Sequence, residues 1–150
     1  MNLQSASDVP TAGDDAFPVD EDVVDFPLDV LDNDSSNAVG GGDVTVVAVG
    51  TPDQGGVVSI GADGLNVLYS PAPDFFGTET FNYTINDAGG LSAQATVTVT
   101  VGNIADSPQA NDDAFTVVID SPGDELDVLA NDTHLPDPAE LLTITSVTTS

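Results

Sequence analysis

The strongest constraint on this chain is that it repeats itself. DVPTAGDDAFPV (8–19) stands over DSPQANDDAFTV (106–117), and LDVLDND (28–34) stands over LDVLAND (126–132). Asp14 and Asp112 lie 98 residues apart, and so do Asn33 and Asn131. Of the 45 positions that align at this offset 18 are identical, and the register never slips, which marks a duplicated structural unit. The fold must therefore close within about 100 residues, ordinary for one domain. The reading is a short tail over 1–7, a complete repeat over 8–104, and the first half of a second copy over 105–150.

Seven strands are expected in the complete repeat, at 15–19, 24–31, 43–50, 56–61, 65–71, 78–87 and 91–101. The last alternates plainly. Ala93, Ala95, Val97, Val99 and Val101 share one face, and Thr96, Thr98 and Thr100 share the other. Phe81, Tyr83 and Ile85 keep the same period one strand earlier. Turn sequences such as DNDSSN, TPDQGG, GADG, PAPDFFG and NDAGG separate these runs, and no segment sustains a helical period. About seven short strands in under 100 residues is the pattern of an all-β, immunoglobulin-like seven-stranded β-sandwich. Phe75, Phe76 and Phe81 are expected to plug one end of its core.

Charge removes whole classes of function. The chain has 26 acids, no Lys and no Arg, for a formal charge of −26. Phosphate backbones and anionic lipid surfaces find no cations to engage, so nucleic acid and membrane-surface partners are excluded. Without Lys there is no Lys–Asn isopeptide bond, and without Cys no disulfide. No apolar run reaches the ~18 residues of a membrane span. The opening MNLQSASDVP has neither the basic nor the apolar segment of a secretory leader, so none is expected here and the chain reads as soluble.

Carboxylate repulsion must then be relieved by dilution, salt or bound cations. In a seven-stranded sandwich the odd-numbered turns share one pole and the even-numbered turns the other. Asp20, Glu21, Asp22, Asp53, Asp74 and Glu79 fall at the pole where the chain leaves the repeat. The linker and second copy add Asn103, Asp106, Asp112, Asp113, Asn131 and Asp132. Asp14, Asp15, Asp32, Asn33, Asp34, Asp63 and Asp87 fall at the entry pole. An oxygen-rich junction with no balancing cation suits Ca²⁺, which takes 6–8 oxygen ligands. The metal set is read as Asp20, Glu21, Asp22, Asp74, Asn103, Asp106, Asp112, Asp113 and Asp132, with Asp112 and Asp113 foremost. The competing reading for any one of them is turn duty, since Asp and Asn cap their own backbones.

Catalysis finds little support. The Asp20–Asp22 run lies at a loop tip, whereas a glycosidase needs two acids facing across a cleft. The lone His134 sits in a turn of the second copy with no triad partners in view. Gly40–Gly42 is followed by neither Lys nor a helix and reads as a flexible connection. Asp137–Pro138 reads as a turn.

Taken together and in order, ANDDAF, LDVLAND, YSPAPDFFGTETFNYTINDAGG and the closing ATVTVTV resemble the tandem bacterial immunoglobulin-like, cadherin-like repeats of large secreted adhesins of the RTX type. The resemblance covers 8–104 as a full unit and 106–150 as a partial one. It implies an extracellular, non-enzymatic stalk segment on a bacterial surface, in contact with adjacent repeats and often stiffened by Ca²⁺. The glycine-rich nonapeptide calcium repeats common in such adhesins are missing, and Ser35–Asn37 stand where many relatives carry acids. The half copy leaves two possibilities. Either further sequence completes it, or strands from a neighbouring copy do, which would make the chain a fibre subunit.

Overall fold

The computed structural model describes residues 9–37, 42–120, 123–133 and 141–148. His134, Asp137, Pro138, Gly40, Gly41 and the tail over 1–7 lie outside the described residues. The chain divides into unit 1, Met1–Asn103, and unit 2, Ile104–Ser150.

Unit 1 has seven strands: β1 (Asp15–Asp20), β2 (Phe26–Leu28), β3 (Thr45–Val49), β4 (Val57–Ile60), β5 (Val67–Ser70), β6 (Gly77–Asn86) and β7 (Ser92–Gly102). They form one sheet in the order β1-β7-β6-β3 and another in the order β2-β5-β4. All seven coincide with runs expected from the sequence. β6 and β7 form the longest ladder, ten paired positions from Gly77↔Val101 to Asn86↔Ser92. β1 joins the edge of that sheet parallel to β7, from Asp15↔Val97 to Asp20↔Gly102. An edge strand tolerates Pro18, which has no N–H to give to a ladder.

Strand alternation fills the space between the sheets. Ala95, Val97, Val99 and Val101 of β7, with Phe81, Tyr83 and Ile85 of β6, meet Leu28, Val30, Val67 and Tyr69 from the opposite side. Tyr69 and Phe81 stack with ring centroids 6.2 Å apart, tying the two sheets together. Phe81 is buried and Phe75 partly so, but Phe76 is 42% exposed, so the expected three-ring plug has two members. The second expected strand shortens to three residues. Asp25 adopts a left-handed φ of 52° before it, and the Val30 N–H turns back to the Leu28 carbonyl after it. Val30 still reaches the core, fully buried, from that turn.

Unit 2 reproduces the loop frame of unit 1 at the same 98-residue offset. The bridge Thr11↔Ser35 recurs as Gln109↔Thr133. The left-handed φ of Asp22, 63°, recurs at Asp120, 68°. The turn bonds Val30 N–H to Leu28 and Asp34 N–H to Leu31 recur as Val128 to Leu126 and Asp132 to Leu129. The first three strands of the second copy, expected from sequence, do not form among its described residues. The reason is pairing. In unit 1, β1 is held only by β7 and β2 only by β5, and residues 104–150 contain no counterpart of either partner.

Candidate functional site

The acids of unit 1 sort into a group at the exit pole in which Glu21 alone is buried, a carboxylate inside the core, and a convergent group at the entry pole. At the exit pole the Glu21 N–H donates to the Gly102 carbonyl at 2.9 Å, extending the β1–β7 ladder by one bond. The Glu21 side chain turns inward, 3% exposed, and its Oε1 accepts from the Asn103 amide at 3.2 Å. Asp20 and Asp22 remain exposed on either side of it. Asp74 is exposed with a left-handed φ of 58°, serving the turn that precedes β6. Asp53 bonds to the side of β6, accepting from the Thr80 N–H at 2.8 Å and the Thr80 hydroxyl at 2.9 Å, and these bonds hold its carboxyl below the ordinary aspartate range.

Glu79 is not a surface acid of this pole, as its place in the sequence suggests. It points into the core, 0% exposed. Its Oε1 accepts from the Gln54 N–H at 2.9 Å and the Gly56 N–H at 2.8 Å, and its Oε2 accepts from the Tyr69 hydroxyl. The carboxylate thus fixes the turn between β3 and β4 to the sandwich interior. Position 56 must be glycine, because a Cβ there would collide with the Glu79 carboxylate and lie 3.0 Å from the Ser70 carbonyl. Burial, with Glu79 beside it, raises the Tyr69 phenol above its ordinary value.

At the entry pole several oxygens converge on one phenol. The Tyr83 hydroxyl lies 3.0 Å from the carbonyls of Gly13 and Val30, and 3.0 and 3.1 Å from the two oxygens of Asp34. The Gly13 N–H donates to Asp34 Oδ1 at 2.8 Å, and the Asn33 amide donates to the Asp14 carbonyl at 3.0 Å. Asp14 itself accepts from the Thr96 N–H at 2.9 Å, so the chain entering β1 is clamped to β7. Asp15 Oδ2 is enclosed there with no donor. Burial, and then the charges of Asp34, Asp14 and Asp32, push the Asp15 carboxyl up to about 6 against the pull of the Tyr83 hydroxyl. One phenolic proton cannot serve every oxygen around it, so this pole holds negative charge at close quarters.

Of the metal set expected from sequence, Asp20, Glu21, Asp22, Asp74 and Asn103 belong to unit 1, and Asp106, Asp112, Asp113 and Asp132 to unit 2. Only Glu21 and Asn103 share a direct contact among the bonds described above. In unit 2, Asp132 Oδ1 accepts from the Asn111 N–H at 2.7 Å, and the Asp112 carbonyl accepts from the Asn131 amide at 3.1 Å. These are the turn duties that Asp34 and Asp14 perform in unit 1. Among the described residues no three acids or histidines are assembled as a metal cluster. The residues that sequence reasoning passed over as a site are Asp15, Asp34 and Tyr83. The duplicated LDVLxND motif was the signal for Asp34, since its copy Asp132 had been singled out.

A two-sheet sandwich with hydrogen-bonded loop frames and a second copy of the same frames defines a structural repeat module. The chain belongs to the bacterial Ig domain family, whose sequence profile matches residues 7–100. That family has a structural, non-catalytic fold and commonly occurs in surface or extracellular proteins. No curated protein matches the chain.

Proposed function

We propose that this chain is a load-bearing segment of an extracellular bacterial adhesin stalk, in which Ca²⁺ stiffens the acid-rich stretch around residues 103–113. The observation that carries the reading is the parallel pairing of β1 with β7. Parallel terminal strands bring the chain in at one pole and out at the other, roughly 20 Å apart for six paired positions. Such a module suits head-to-tail arrays, and tension between its ends loads the six-position β1–β7 ladder in shear, so its bonds resist together. The duplication at a constant 98-residue offset supports an array in the same way.

The calcium element rests on composition. Asn103, Asp106, Asp112 and Asp113 crowd into eleven positions with no cation in the chain to balance them, and Asp20, Glu21, Asp22, Asp74 and Asp132 lie in the loops assigned to the same role. Ca²⁺ gathers carboxylate and carbonyl oxygens from flexible loops more readily than Mg²⁺ does. Thermal melts at matched ionic strength test it. Ca²⁺ at millimolar concentration should raise a transition that Mg²⁺ and NaCl leave lower, and Asp112→Asn with Asp113→Asn should remove the difference. A midpoint indifferent to the choice of cation would end the calcium reading and leave the array reading standing. Pulling single molecules from both ends tests the latter, with a shear-type unfolding peak weakened by Thr98→Pro.

A further inference from the structure

Unit 1 carries a hollow of about 610 Å³ at its entry pole, apart from the acids assigned to Ca²⁺. Three segments build it. After β2 the Asp34 N–H closes a turn on the Leu31 carbonyl at 3.1 Å, which sets Leu31, Asp34 and Ser35 along one wall. Asp43 and Val44 lead into β3 and form the second wall. The third is the turn between β4 and β5, where the Gly64 N–H reaches the Gly61 carbonyl at 2.9 Å and Gly64 takes a left-handed φ of 73°. The Gly64 carbonyl accepts from the Val46 N–H at 2.9 Å, so this turn leans on β3 and brings Leu65, 50% exposed, to the hollow.

The lining is mixed. Leu31, Val44 and Leu65 make an aliphatic floor, and Asp34, Asp43 and Ser35 make a polar rim. A divalent cation seeks 6–8 oxygens and gains nothing from three aliphatic side chains. A lysine or arginine side chain uses both parts, because its stem lies along apolar surface while its charged head bonds to carboxylate. The chain has no Lys or Arg, so no side chain of its own supplies such a head. Its net charge of −26 draws basic partners toward it. Asp34 is already fixed by the Gly13 N–H and the Tyr83 hydroxyl, so this carboxylate needs no ordering when a partner arrives.

We propose that this hollow receives a short basic segment of a partner protein, a Lys or Arg with an apolar neighbour, held between the Asp34–Asp43 rim and the Leu31–Val44–Leu65 floor. The volume lies within the roughly 300–1,000 Å³ of ligand sites and admits more than one side chain. A free polyamine has no apolar branch to cover the floor, whereas a peptide covers it and offers backbone groups to Ser35. The inference stands apart from both the calcium and the array readings.

The test titrates the full chain with acetyl-Leu-Lys-Leu-amide in about 150 mM NaCl, where a Debye length of about 8 Å weakens diffuse attraction to the acidic surface. Methyl NMR signals of Leu31, Val44 and Leu65 should shift together and saturate. The same peptide with its lysine acetylated should bind at least about 10-fold more weakly, since the charge-assisted bonds are lost. Asp43→Asn and Leu65→Ser, both at exposed positions, should each weaken binding about 5-fold or more while the amide spectrum of unit 1 is kept. Shifts spread over the acids of both poles overturn the proposal, as does equal binding of the acetylated peptide. Cadaverine that saturates the same methyls as tightly as the peptide also overturns it, because the occupant is then a free amine and not a protein segment.

Discussion

Glu79 and Asp15 are both enclosed carboxylates, yet their surroundings give them opposite roles. Glu79 has three donors aimed at it, two backbone N–H groups and the Tyr69 hydroxyl, so its charge is satisfied. Glu79→Gln presents an amide to one of those donors and should cost about 2–3 kcal/mol in urea unfolding, with Tyr69→Phe costing less. Asp15 faces Asp14, Asp32 and Asp34 with one phenol to help it. Its folded-state pKa of about 6 exceeds the unperturbed 3.8, so between these values the folded chain binds more protons than the unfolded one. Its contribution therefore favours folding at low pH and turns against it as pH rises from about 4 to about 6. Asp15→Asn should stabilise the chain at pH 7 by about 1–2 kcal/mol, a figure reduced for partial solvent access. The gain should vanish near pH 4, and equal gains at both pH values would contradict this account. The inward aim of Glu79 was readable from parity, since 79, 81, 83 and 85 fall on one face of β6. Pole sharing was expected of Asp14, Asp15, Asp32 and Asp34, but the burial and crowding at Asp15 were not, because they depend on how Asp32, Asp34 and Tyr83, 17, 19 and 68 positions away, are packed.

At the scale of elements, β7 is the strand on which unit 1 depends. It pairs with β1 on one side and β6 on the other, and buries Ala95, Val97, Val99 and Val101. Thr98 lies opposite Ala16 in one ladder and Thr80 in the other. Thr98→Pro removes a donor from a strand enclosed on both sides and should cost about 3 kcal/mol or more, whereas Pro18 sits harmlessly at the edge. Val97→Ala, at a fully buried position, should cost about 2–3 kcal/mol by loss of contacts and a residual cavity. Denaturant midpoints measure both. β7 was the clearest strand in the sequence because its alternation is unbroken. β2 was overextended, because VVDFPLDVL keeps strand composition while Asp25 and the Leu28–Val30 turn bend the backbone out of a ladder.

At the scale of the molecule, the absence of any Lys or Arg sets the response to solution conditions. A charge of −26 with no internal ion pairs between carboxylates and Lys or Arg makes compaction work against self-repulsion. Monovalent salt should therefore raise the melting temperature steadily between about 10 and 300 mM, as the Debye length falls from about 30 Å toward 6 Å. A flat response in scanning calorimetry would mean that dilution over the surface already suffices. Any specific effect of Ca²⁺ has to exceed this baseline. The contrast between the units follows the same logic of partnership. The same local sequences are buried in one copy and exposed in the other, because sheets are completed by segments far along the chain.

Local chemistry fixed the alternation of the strands, their inward and outward phases and the turn frames, since each depends on neighbours within a few residues. That is why the turn bonds recur in both copies at the same offset. Tertiary structure decided which acids meet. Tyr83 touches Gly13, Val30 and Asp34 across 70, 53 and 49 residues, and no spacing rule links such positions. Burial was decided there too: a valine or leucine in an alternating strand enters a core only when the opposing sheet is present to receive it.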